Sequence, residues 1–200
     1  MLVYRTNIAY TFSKSEEIMQ ITVHGTPTPL LGKEIYIGKE APAARITKLD
    51  GSQNVIGMIA PTTQLLIAIP SLKTEVCSLG AKKFNEMVKK FSKLSTTMIT
   101  TDDIDFVKEY AANESIENAE IVIDSNLNFA KKYGLQISEG KLKDRLARAV
   151  FIVDREGFII YKEIVPEIVD EVNYEACLEA IENALGEKKK GHTHENWMSA

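Results

Sequence analysis

Short apolar runs and amphipathic stretches alternate along this chain, and the period of each predicts its element. Ile21 and Val23 alternate with Gln20 and Thr22, and after Gly25-Thr26-Pro27 the chain returns through Leu30 and Leu31, a pattern that predicts an N-terminal β-hairpin. Leu65, Leu66, Ile67, Ala68 and Ile69 form an unbroken apolar run, as a strand covered on both faces would. Phe84, Met87, Val88 and Phe91 then recur at helical spacing, which aims one stripe at a sheet. Residues 96–100 are rich in β-branched side chains and read as a strand; Asp102 or Asp103 can cap the helix that follows, with Ile104, Val107 and Ala111 on one face.

The alternation continues through residues 120–124, a strand, after which Ser125 can cap a short helix that stops near Gly134. Residues 149–153 and 158–163 flank the turn Asp154-Arg155-Glu156-Gly157, as in a second hairpin. Tyr174, Cys177, Leu178, Ile181 and Leu185 then share the stripe of a closing helix. Together these elements predict an α/β chain of thioredoxin-like fold: a mixed central sheet flanked by helices, with an N-terminal β-hairpin. Residues 1–18 have weak periodicity and read as a flexible extension, whereas residues 187–200 begin with a run too polar to bury a face and read as a disordered tail. One domain over residues 19–186 remains.

Composition narrows the function. The chain has 200 residues, 44% hydrophobic and 26% charged, with a net charge of -4, enough for a full core without disulfide staples. Its 24 basic residues are scattered, so neither nucleic acid nor an anionic membrane is an expected partner. No apolar run approaches the roughly 20 residues of a membrane span, and the N-terminus lacks the apolar core of a secretory signal. Two widely spaced cysteines fit a reducing compartment, so a cytoplasmic location is expected.

Cys77 is the candidate for chemistry. It falls just after the strand at 65–69 and at the start of the following helix, where unpaired N–H groups and the helix dipole favour a thiolate. Pro70 marks the strand end, because it cannot donate to a ladder, and Thr74 stands one helical turn before the sulfur. Most free cysteines are buried small hydrophobes, so position alone leaves the role of Cys77 open. The sequence holds no C-x-x-C pair and no phosphate-binding loop, and no cofactor or metal is expected. His192 and His194 lie in the charged tail without fixed companions.

From about Gln20 to Leu185 the chain resembles the thiol peroxidase group of the peroxiredoxins. Pro70, Thr74 and Cys77 match the pattern P-x-x-x-T-x-x-C, and Lys83-Phe84-Asn85 extends the match; Leu146-Ala147-Arg148-Ala149-Val150-Phe151 matches the segment carrying the family's arginine. Gly25-Thr26-Pro27, residues 38–42 and Leu178-Glu179-Ala180 also fit. The resemblance implies an antioxidant enzyme in which Cys77 attacks hydrogen peroxide or an alkyl hydroperoxide and becomes a sulfenic acid. It further implies that Arg148 stabilises the thiolate and developing charge, Thr74 orients the peroxide, and Pro70 shields the pocket. A homodimer reduced by an external thiol, thioredoxin or another, is the implied assembly. Arg145, three residues before Arg148, reads as a solvated charge.

The match departs from the group at one important position. Where its typical members carry a resolving cysteine, this chain has Ala111. Cys177 is the other thiol, and on the apolar stripe of the last helix it reads as packed and redox-silent. Lys73, Glu75 and Ser78 also depart from the pattern, and the net effect of Lys73 and Glu75 on the sulfur depends on which points inward. These departures support an alternative: a degenerate, non-catalytic or redox-sensing thioredoxin-like binding module.

Overall fold

The computed structural model describes residues 19–186. The terminal segments, for which an extension and a tail are expected, lie outside the described residues, as do His192 and His194. The elements run β1 (Gln20–Val23), β2 (Thr26–Leu31), β3 (Ala44–Lys48), β4 (Gln53–Ile56), β5 (Thr63–Ile69), α1 (Glu75–Val88), β6 (Leu94–Thr100), α2 (Ile104–Asn113), β7 (Glu120–Ile123), α3 (Asn128–Lys132), β8 (Gln136–Ile137), β9 (Ala149–Val153), β10 (Ile159–Ile164) and α4 (Tyr174–Gly186). A seven-stranded sheet in the order β10-β9-β5-β6-β7-β3-β4 forms the centre, and β1-β2-β8 forms a small second sheet.

Strands β5, β6 and β7 pair in parallel, as the helical crossovers between them require, whereas β9, β10, β3 and β4 join antiparallel. The sheet is therefore mixed, as the alternation predicts. Strand β5 is buried at every position because alternate side chains enter two different cores. Leu65, Ile67 and Ile69 pack with Cys77, Phe84, Val107 and Ile181 under α1, α2 and α4. Leu66 and Ala68 point the other way, into a core with Phe129, Tyr133 and Ile137 beneath α3 and the small sheet. Each large apolar side chain so buried contributes about 1.5–3 kcal/mol relative to exposure.

The β1–β2 hairpin turns through His24 and Gly25, both at positive φ, with Val23 opposite Thr26. Gly25 takes such a backbone without strain. The Glu167 carboxylate closes the turn from outside, accepting from the backbone N–H groups of His24 and Gly25 and from the Thr22 hydroxyl.

Some local expectations change. Asp103 caps α2, accepting from the Asp105 and Phe106 N–H groups, which frees Asp102 for another role. Ser125 does not cap α3: its hydroxyl faces Thr47, and the buried Asp124 carboxylate accepts from the Phe129 and Ala130 N–H groups instead. A carboxylate satisfies two orphan donors at once, which a single hydroxyl oxygen does less well. Strands β3, β4 and β8 are additions that the apolar pattern does not announce.

Candidate functional site

The turn from β5 into α1 places Cys77 as the third residue of the helix, with Thr74 at the N-cap and Pro70 buried directly after the strand. Cys77 is only 2% exposed and packs among the side chains beneath α1. Opposite it, β9 lies antiparallel to β5 with Ala68 across from Ala149, so Arg148 emerges beside the end of β5. Its Nη2 donates to Cys77 Sγ at 3.4 Å and to the Ile168 carbonyl at 3.0 Å.

Arg148 is itself 7% exposed, and its Nε finds no hydrogen-bond partner. No salt-bridge carboxylate accompanies it among the described residues. A guanidinium so poorly compensated in low dielectric favours any negative charge placed beside it, and the nearest candidate is a thiolate on Cys77. Cys77 and Arg148 share a cavity of about 10 Å³ with Phe84 and Tyr174, room for one water-sized molecule at most. Burial, with Glu171 adding to it, pushes the Tyr174 phenol up to about 12, so it remains a neutral donor near the sulfur.

Thr74 is exposed and does not line that cavity. Its hydroxyl donates to the Ser71 carbonyl at 3.1 Å, which leaves the oxygen lone pairs free to accept. The structure thus brings Cys77 and Arg148 into direct contact and sets Thr74 and Pro70 on the turn that leads to them. Lys73 and Glu75 are both exposed, and the Lys73 ammonium lies 4.9 Å from the Phe106 ring centroid; neither points inward.

Three side-chain links fasten α1 to the end of α2 and the segment after it. Ser78 Oγ and Tyr110 Oη are 3.1 Å apart, Lys82 pairs with Glu114, and the buried Asn85 side chain bonds the Ser115 carbonyl and the Glu117 and Asn118 N–H groups. Tyr110 therefore faces α1, while its neighbour Ala111 turns into a separate cleft with Leu49, Ile116 and Ile121. Cys177 is fully buried, and burial, with Glu163 second, pushes its thiol up to about 12. Both cysteines are free.

Arg145 is not a solvated charge. Its Nη1 lies 2.8 Å from Asp102 Oδ1, and the Asp102 side chain is wholly inaccessible. This pair escapes a sequence reading because its members are 43 residues apart; the doubled aspartate, of which only one can cap a helix, is the available hint. Among the described residues no group of three or more His, Cys, Asp or Glu could hold a metal ion, and no helix is long and apolar enough to cross a membrane.

Residues 37–178 match the family model for redoxin. A thiol peroxidase of Aquifex aeolicus is 34% identical over 82% of this chain and 98% of that protein, and one of Leptospira interrogans is 37% identical over 83% and 99%. The crystal structure of a peroxiredoxin-like protein from Aquifex aeolicus superposes with a TM-score of 0.80 at 34% identity, covering 82% of this chain and 96% of that one. With the thiol and guanidinium placed on the thioredoxin-like frame that the motif implies, the chain belongs to the redoxin family and, within it, to the thiol peroxidases.

Proposed function

We propose that this protein is a thiol-dependent peroxidase in which Cys77 reduces hydrogen peroxide or an alkyl hydroperoxide. The observation that carries the reading is the 3.4 Å contact between Arg148 Nη2 and Cys77 Sγ. The thiolate attacks one peroxide oxygen in line; an S–O bond forms as the O–O bond breaks, and the leaving oxygen takes a proton to depart as water or alcohol. Cys77 is oxidised to the sulfenic acid and the peroxide is reduced.

In this scheme Arg148 holds the thiolate and the charge that develops on the peroxide oxygens. Thr74, its own proton committed to Ser71, accepts from the peroxide O–H and fixes its approach. Pro70, buried at the strand end, keeps bulk water from the back of the turn. An external thiol, thioredoxin or another, then condenses with the sulfenic acid and releases water; a second thiol frees Cys77 from the mixed disulfide. Ala111 offers no internal partner for that step, and the buried, neutral Cys177 thiol is a poor one. The homodimer carries over from the family resemblance, and two free cysteines accord with the cytoplasm.

Intact-mass measurement after a brief peroxide pulse tests the reading. One oxygen should add rapidly and stoichiometrically, Cys77→Ser should abolish the addition, and Cys177→Ser should leave it intact. A Cys77 no more reactive than a free cysteine would instead mark a binding or sensing module.

A further inference from the structure

We propose that Asp102, locked by Arg145, is a positioning residue that holds the peroxide-binding turn in register; the inference rests on the peroxidase reading above. Asp102 lies just beyond β6 and is only 2% exposed. Its two oxygens are fully engaged. Oδ1 accepts from the Ser71 hydroxyl at 2.8 Å and from Arg145 Nη1 at 2.8 Å, and Oδ2 accepts from the Leu72 N–H at 2.6 Å and the Thr100 hydroxyl at 3.2 Å.

Ser71 passes this anchorage on to Thr74. The Ser71 carbonyl receives both the Thr74 N–H, at 3.2 Å, and the Thr74 hydroxyl, at 3.1 Å, while the Ser71 hydroxyl oxygen receives the Lys73 N–H. Thr74 in turn opens α1 by accepting the Ser78 N–H. One carboxylate therefore fixes the residue that caps the helix of Cys77, although it touches neither the sulfur nor the space a peroxide would occupy.

Arg145 links the same carboxylate to the other half of the site. It lies three residues before Arg148 on the segment that enters β9, and its Nη1 also reaches the Thr101 hydroxyl at 3.3 Å. A buried carboxylate needs both hydrogen bonds and a counter-charge, and Arg145 is the cation the structure supplies. The turn bearing Thr74 and the segment bearing Arg148 are thus referenced to one atom pair. Displacements of about 1 Å in such a frame cost on the order of 10²-fold in rate.

The test compares two reactions of Cys77 in the full-length protein. Peroxide oxidation needs the thiolate and a correctly placed Thr74, whereas alkylation by iodoacetamide needs the thiolate and an opening to it but not Thr74. Asp102→Asn should slow oxidation by hydrogen peroxide about 100-fold and leave alkylation unchanged or faster. In a Thr74→Val background, the same substitution should add less than about 3-fold, because positions acting through one group are not additive. A parallel loss in both reactions, or independent losses that multiply, would overturn the proposal. Should Asp102→Asn fail to fold, Arg145→Leu and Arg145→Lys give the same comparison at a side chain that is 31% exposed. Lysine should recover oxidation relative to leucine without changing alkylation, and equal rates would count against the idea. An unmutated protein that consumes no peroxide would sink the peroxidase reading itself, a result separable from failure of Asp102→Asn alone.

Discussion

Arg148 donates through Nη2 to Cys77 Sγ and to the Ile168 carbonyl, yet its Nε, equally buried, has no partner. The guanidinium is therefore held by position rather than by an opposing carboxylate, and its charge is available to the sulfur. Arg148→Ala should lower the rate of Cys77 oxidation by about 10²–10³-fold, the usual cost of losing one preorganised donor to developing charge. Arg148→Lys should recover little of it, since a compact, strongly hydrated ammonium is costlier to bury beside the sulfur and the Ile168 carbonyl than the weakly hydrated guanidinium whose Nη2 serves both. Quenched-flow oxidation followed by mass measurement would check both, and a fully active lysine variant would show that a positive charge alone suffices.

The link between Ser78 and Tyr110 bears on the fate of the sulfenic acid. Ala111→Cys would restore a second thiol at the position where the thiol peroxidase group carries one, but that side chain turns away from α1. The introduced thiol should form a disulfide to Cys77 slowly, and adding Tyr110→Phe, which removes the hydroxyl tie, should accelerate it. In the unaltered protein excess peroxide should drive Cys77 on to sulfinic acid. Non-reducing peptide mapping across a peroxide titration reads both outcomes, and fast disulfide formation in Ala111→Cys alone would contradict the role given to Tyr110.

Acid should loosen the N-terminal hairpin. Hydrogen bonds from the Gly25 N–H first, then from Thr22 and His24, lower the Glu167 carboxyl from its usual 4.5 to about 2. A depressed carboxylate contributes stability that is present above its unfolded value and is lost as pH falls through its folded one. The contribution should therefore be complete above about pH 4.5 and fade toward pH 2. Glu167→Gln should remove that part of the pH dependence of the urea midpoint; an unchanged acid limb would mean the hairpin contact adds nothing.

Tyr133 offers a test of packing away from the site. Its ring stacks on Phe129 at 4.2 Å and meets Phe151 edge-on at 5.1 Å, but its buried hydroxyl has no partner. The hydroxyl fits against Gly57, at φ +82°, where an added Cβ would lie 2.1 Å from it. Tyr133→Phe should leave the fold intact and raise stability by about 1 kcal/mol, since no protein hydrogen bond is lost and an unsatisfied polar group is removed. Thermal denaturation would show the gain, and a lower midpoint would reveal a missed partner.

Much of this was readable in the chain because its strongest signals are local. The apolar run at 65–69 has no exposed face to hide, so it is recognised as a central strand, and the turn at 154–157 carries its own glycine. Strands β3 and β4 escaped because they are short and weakly apolar: only Ala44 and Ile46 of β3 turn inward, and in β4, the edge strand, Val55 faces solvent so that Gln53-Asn54-Val55-Ile56 shows no apolar alternation. Ser125 looked like a cap only because the competing acceptor, Asp124, also looked like the end of a strand. At the site, motif matching located Cys77 and Arg148, but Arg145 seemed a surface charge because nothing within one helical turn betrays its pairing with Asp102. The bonds of Tyr110, and those of Asn85, which the motif match includes without a role, are hidden for the same reason: they exist only once β6 has carried the chain across the sheet.

The pairing of β5 with β9 gives the site its durability. Cys77 follows one of these strands and Arg148 precedes the other, and Ala68 opposite Ala149 sets their spacing in the interior of a seven-stranded sheet. A slip of one residue would turn every side chain of a strand to the wrong face, so no partial rearrangement yields a slightly wider site. The ladder behaves as a fixed ruler: heating should leave catalytic competence flat until the sheet itself melts, with inactivation and unfolding sharing one midpoint.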